Sequence, residues 1–182
     1  FAKLLAIASV ADKLSMGRSN QLIANTDLKL GIPSGGNVEQ LLDHAGLLTD
    51  RAIQALKPDI IAAAFTAKVL GKYPDAAPEI LWAALEEDLA GGLERFGRLS
   101  YDAEFVCCLG SPCLSDWLAE AVQKRLERSN ELRHFFREVH LPLGWTKTAV
   151  TVWQTLLRNE DLPDEEQSDL LNNLSIHLGN MG

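Results

Sequence analysis

The chain has 182 residues, 47% hydrophobic, 23% charged and 7% aromatic, with a formal net charge of −8. That length suits one large domain or two small ones with a real core, and the composition is that of a soluble globular chain rich in helix-forming alanine and leucine. The acidic balance argues against a general binder of nucleic acid or of anionic membrane surfaces, and the apolar runs fall far short of a membrane span.

The charge is unevenly spread. Residues 1–74 hold 8 basic and 6 acidic groups, and residues 75–182 hold 9 and 19. The change coincides with Tyr73-Pro74, taken as the edge of a first module. Three cysteines form no closed disulfide framework and point to a reducing compartment, so a cytoplasmic location is expected. The chain opens on Phe1-Ala2-Lys3 without a methionine or a signal-peptide layout, as an internal piece of a longer protein would.

Leu4, Leu5, Ile7, Ala8, Val10, Ala11 and Leu14 crowd most faces of the opening segment, the pattern of a helix buried on every side. Gly17, Ser19 and Asn20 are expected to break it, and residues 21–27 to form a second short helix. The loop GIPSGGN at 31–37 is glycine-rich, but no Gly-Lys-Ser/Thr follows, so it lacks the lysine and hydroxyl of a phosphate loop and is read as a turn. Asn37 is expected to cap a helix over 38–46 with Gln40 as capping-box partner, and Gly46 to end it. Leu47 to Leu56 suits a small hairpin or wing. Pro58 then opens a helix with Ile60, Ile61, Ala64, Phe65, Val69 and Leu70 on its apolar side.

This order resembles the winged-helix region that follows the nucleotide-binding domain in bacterial signal-transduction ATPases of the STAND type. Those chains carry L-x-P-D-L-L-G-E-x-F here. Leu56, Pro58, Asp59, Ile60, Ile61 and Phe65 match, while Ala62 and Ala63 replace the glycine and glutamate. The resemblance implies a winged-helix-like module over 1–74, with any nucleotide chemistry upstream of this chain. A winged helix also raises DNA binding, which needs Arg, Lys, Asn or Gln at base edges. The candidate helix places Glu39 and Asp43 beside Gln40 and His44, and two carboxylates there would repel phosphate.

From Asp75 the pattern predicts a helical arm to 162. Ile80, Leu81, Ala84, Leu85 and Leu89 form a stripe with Glu86, Glu87 and Asp88 outside it, and Gly91-Gly92 permits a bend. Residues 101–109 read as a short buried helix or connector. Ser111-Pro112 opens a helix with Leu114, Trp117, Leu118, Ala121 and Val122 on one side. Another short helix is expected over 131–139. After the HLPLG loop at 140–144, Thr146 caps a helix carrying Ala149, Val150, Trp153, Leu156 and Leu157. No exact period joins these pieces, so they read as an irregular helical-hairpin solenoid.

Residues 163–182 predict one last amphipathic helix, with Asp164 as cap, Gln167 reaching back, and Leu170, Leu171, Leu174 and Leu178 as its apolar stripe. The spacing of Leu174, Ser175, Leu178 and Gly182, behind Asn172 and Asn173, resembles the first helix of a tetratricopeptide repeat, with Ser175 where the repeat prefers glycine. The resemblance implies the entrance to a superhelical array, cut off after half a repeat.

The expected fold is therefore mainly α: a winged-helix-like module, a helical solenoid and a tetratricopeptide-like last helix. No catalytic, cofactor or metal residues are assigned. Cys107, Cys108 and Cys113 match no zinc spacing and read as buried apolar cysteines. His44, His134, His140 and His177 are scattered. Glu86 to Asp88 and Asp164 to Glu166 read as solvated faces rather than acid–base pairs. Trp82, Trp117, Trp145 and Trp153 read as core. The function expected is a non-catalytic regulatory and protein-interaction segment between a nucleotide switch and a repeat sensor array. Its partners would be a protein, the adjacent repeats or a second copy through the last helix, with no membrane and no cofactor. A winged-helix DNA-binding regulator and a helical enzyme with a scattered site are the alternatives.

Overall fold

A computed structural model of the chain describes residues 1–32, 37–109, 114–125, 130, 131, 134, 146–158 and 162–179. The fold is mainly helical with one small three-stranded sheet. The chain divides into two compact units, Phe1–Leu109 and Gly110–Gly182. The edge expected at Tyr73-Pro74 thus lies inside the first unit. The charge change there belongs to the surface, whereas the core of the unit runs on through the following helices.

Helix α1 (Ala2–Ala11) is the centre of the first unit and packs against α4 (Asp59–Lys72), α5 (Ala77–Leu85) and α6 (Leu89–Tyr101). Leu4, Ala6, Ile7, Ala8 and Val10 are buried, as a helix apolar on all sides requires. It also buries Lys3. The ammonium donates to the carbonyls of Leu28 at 3.1 Å and Lys29 at 2.7 Å, and stands 4.5 Å from the Tyr73 ring centroid. Neutral acceptors and the ring's negative face take the place of water around the charge.

Leu14, expected in that helix, is in a strand. Asp12 takes a left-handed φ of 74° and ends α1, so Leu14 reaches the core from β1 (Lys13–Ser15) instead. The expected break at Gly17 to Asn20 lies within α2 (Met16–Ala24), because the Ser15 hydroxyl accepts from the Arg18 N–H and starts a helix there. The cap outweighs the propensity cost of one glycine.

Helix α3 (Val38–His44) begins at Asn37, whose side chain accepts from the Gln40 N–H at 3.2 Å. It ends in a Schellman turn: Leu47 N donates to Leu42 O, Gly46 N donates to Asp43 O, and Gly46 has a φ of 67° that suits glycine. The hairpin of β2 (Leu48–Thr49) and β3 (Ala52–Gln54) follows. Its two turn residues, Asp50 and Arg51, are left-handed at 51° and 57°, the twist a two-residue hairpin needs. The antiparallel sheet has the order β1-β3-β2, with Ile53 of β3 opposite Leu14 and Leu48.

In α4 the buried residues are Ala62, Ala63, Thr66, Val69 and Leu70, while Ile60 and Ile61 are exposed. The expected stripe is thus rotated: small alanines face inward, where helices approach closely. Helix α5 is buried along nearly its whole length and stops at Leu85 rather than running through Leu89. Asp88 then caps α6, accepting from Gly91 N at 3.0 Å. The glycines expected to bend the chain lie in the first turn of α6. A Cβ on Gly92 would come within 2.9 Å of Leu85 Cδ2, so its smallness serves close packing of α6 on α5. The segment 101–109, expected to be buried, is a π-helical turn over Asp102–Val106 of which only Ala103 is buried.

The second unit contains α7 (Leu114–Gln123), α8 (Thr146–Leu157) and α9 (Asp164–Gly179), with α8 packed against both others. Leu114, Trp117, Leu118, Ala121 and Val122 of α7 and Ala149, Val150, Val152, Trp153 and Leu156 of α8 are buried. Asp164 is the first residue of α9, not its cap. The Gln167 side chain, expected to reach back to a backbone N–H, instead donates from Nε2 to the Leu162 carbonyl at 3.1 Å. Ser111, Pro112, Ser129, the HLPLG loop, Trp145 and most of the helix expected over 131–139 lie outside the described residues.

Candidate interaction surfaces

The four leucines expected as one stripe on α9 divide between two faces. Leu170 is 2% exposed and packs toward α8, and Leu174 is half-buried. Leu171 and Leu178 are 56% and 47% exposed. Seven residues is nearly two helical turns, so Leu171 and Leu178 line up with each other, one step around the helix from Leu170. The residues turned inward with Leu170 recur at helical spacing: Glu166, Gln167, Asn173, Leu174 and His177 are all partly covered. Burial holds the His177 pKa below its ordinary value, because the imidazolium loses water there.

A second surface lies between α3 and the hairpin, a cleft of about 480 Å³. Asn37 and Gln40 give it hydrogen-bonding groups, and Glu39, Asp43 and Asp50 give it negative charge. Arg51 at the hairpin tip is its cation, and its Nε lies 3.4 Å from Glu39 Oε1. A phosphate entering here would meet three carboxylates against one guanidinium that already has an acidic neighbour.

A third surface was not anticipated. Ile61, Phe105 and Val106 are each more than half exposed, beside Ile60, Tyr101 and Leu109. The Tyr101 and Phe105 rings lie 5.0 Å apart between centroids, tilted by 33°, and the π-helical turn packs against α4. The chain pattern hid it because Ile60 and Ile61 share the run with the alanines that actually face the core.

The carboxylates of Glu86 and Glu87 stand outside, as expected, but gather around Arg18. Its Nη2 pairs with Glu86, and its Nε lies 3.5 Å from Glu87 Oε1. Arg95 Nη1 reaches Asp12 Oδ1 at 2.8 Å. These three pairs tie the sheet end of the first unit to its later segments. Trp82, Trp117 and Trp153 are buried. Cys107 is half-buried and Cys108 exposed, both as free thiols, so the apolar burial expected of them is corrected. The cause is the π-helical turn, which carries residues 104–109 to the surface. Cys113 and His140 lie outside the described residues. Among the described residues, no group of three His, Cys, Asp or Glu could hold a metal ion, and no helix is long and apolar enough to cross a membrane.

No protein-family model, curated protein or solved structure matches the chain.

Proposed function

We propose that this chain is a regulatory, protein-interaction segment: a winged-helix-type module followed by helices that offer surface rather than chemistry. It would link an upstream nucleotide switch to a tetratricopeptide-like array. The order α1-β1-α2-α3-β2-β3 with sheet order β1-β3-β2 is consistent with the winged module. The observation that carries the reading is the charge of the face that would have to read DNA. There Glu39, Asp43 and Asp50 surround the cleft, and Arg51 is drawn to Glu39. DNA binding draws its affinity from protein cations that displace phosphate counterions, and the three carboxylates of this face would instead repel the phosphates. The half-exposed Leu171 and Leu178, and the Ile61 and Phe105 surface, favour apolar contacts with protein.

The test is a pair of titrations of the whole chain at low salt. Mixed-sequence duplex DNA is expected to give no mobility shift, and ATP no heat at micromolar concentration. A salt-dependent DNA shift would move the module to a transcriptional regulator. Micromolar ATP binding would place nucleotide chemistry inside this chain and overturn the proposal.

A further inference from the structure

The π-helical turn at the end of the first unit closes on two adjacent thiols. Cys107 N donates to Asp102 O at 2.8 Å and Leu109 N to Ala103 O at 2.9 Å, so the turn ends in a wide hydrogen-bonded cap. Between those two donors stands Cys108, with a left-handed φ of 52°. Glycine is the usual residue at such a cap, and a side chain there is strained. Cys107 and Cys108 are both free, and Cys108 is exposed. The Cys107 thiol has one described partner: Sγ lies 3.8 Å from the carbonyl of Ile60 in the first turn of α4, within the reach of a weak S–H···O bond.

We infer that Cys107 and Cys108 form a reversible redox site, a vicinal dithiol that closes to a disulfide by exchange with a small-molecule disulfide and releases the start of α4. The inference is independent of the function proposed above. The exposed Cys108, as thiolate, attacks one sulfur of oxidised glutathione. A Cys108–glutathione mixed disulfide forms and one glutathione thiolate leaves. Cys107 gives its proton to solvent and attacks the Cys108 sulfur. The Cys107–Cys108 bond forms and the second glutathione thiolate leaves. The protein has lost two protons and two electrons, and the glutathione disulfide has gained two electrons and taken up two protons to become two glutathione thiols.

Two consequences follow from geometry. Oxidised Cys107 has no S–H, so its bond to the Ile60 carbonyl is lost. The ring is also strained: adjacent Cα atoms lie about 3.8 Å apart across a trans peptide, short of the usual range of about 4.4–6.8 Å for a disulfide. Strained and exposed disulfides are the easily reduced, regulatory kind. The site therefore suits a signal that comes and goes, not a permanent cross-link.

The experiment treats the full chain with oxidised glutathione and maps its peptides by mass spectrometry without reduction. The expected product is a 105–109 region lighter by two hydrogens, without a glutathione adduct, restored by dithiothreitol. The variants Cys107→Ser and Cys108→Ser should each stop at a glutathione adduct on the remaining thiol. Hydrogen exchange of the same sample should quicken at Ile61 and Ala62, whose N–H groups bond Pro58 O in the first turn of α4, and recover on reduction. A stable adduct on the wild-type Cys108, a bond to Cys113 instead, or thiols that stay reduced would overturn the site. Ring closure with exchange at Ile61 and Ala62 unchanged would overturn its link to α4.

Discussion

Helices α1 and α9 stand at opposite extremes of burial. Seven of the ten residues of α1 are buried, a lysine among them, whereas α9 buries Leu170 alone of its sixteen. Both are leucine-rich, so leucine content does not set the difference. In α1 the apolar residues occupy every face, and neighbours can be placed all round it. In α9 they form a band beside Asp164, Glu165, Asn172 and Ser175, and among the described helices α8 packs against it and uses only part of that band. The first helix can thus organise a core, while the last leaves apolar surface for something else.

The sharpest test of that contrast is truncation at Ile7. Ile7→Ala removes a fully buried side chain between α1 and its neighbours and should cost about 3–4 kcal/mol. Trp82 lies in the first unit and Trp117 and Trp153 in the second. Fluorine-labelled tryptophan resonances followed through urea should therefore show the Trp82 transition move to lower denaturant. Equal movement of the Trp117 and Trp153 signals would mean that the two units unfold as one, and the contrast would lose its meaning.

Within α9 the comparison narrows to two neighbouring leucines. Leu170→Ala should cost about 2–3 kcal/mol by the same cavity argument. Leu171→Ala, at a position 56% exposed, should change stability by less than about 0.5 kcal/mol. Denaturation midpoints of the two variants check the pair. If both prove costly, Leu171 is covered in solution, and sedimentation would tell whether a second copy covers it.

Lys3 tests whether the burial of α1 is purely apolar. Lys3→Met keeps the volume and stem but leaves the Leu28 and Lys29 carbonyls without their donor, at a cost of about 1–3 kcal/mol. Faster amide exchange over residues 25–31 should accompany it. A neutral or stabilising result would show that desolvating the ammonium costs as much as its contacts return.

These particulars mark what a single chain can reveal. The buried α1, the Asn37 cap and the Gly46 stop were legible because each rests on local chemistry or on a pattern filling all faces. The hairpin was legible as a turn between apolar runs, and Trp117 and Trp153 as part of helical stripes. What was not legible depended on which neighbour arrives. Nothing local says that Ala62 and Ala63, not Ile60 and Ile61, face the core, or that Asp12 will turn left-handed and send Leu14 into a strand. The cysteine surface was hidden for the same reason: an apolar run predicts burial, and a π-helical turn undid it. On α9 the spacing of the leucines was readable, but the side on which α8 would lie was not.

The smallest effect concerns His177, on the covered side of α9. Two influences oppose each other there. The C-terminal end of a helix favours a cation. Burial disfavours it and prevails, so the folded-state pKa lies below the ordinary value of 6.5. The unfolded chain then binds the proton more readily than the folded one. Stability from this group is intact above the ordinary value, declines as the pH falls through it, and levels off once the pH is below the folded pKa. His177→Gln should abolish that slope while leaving stability at pH 8 little changed. The measurement is the difference between the urea midpoints of wild type and variant from pH 8 to pH 5. Contributions of every other group, common to both proteins, cancel in that difference. Parallel pH profiles would mean that the imidazole is fully solvated in the folded chain, so that α9 lies less closely on α8 than its covered residues imply.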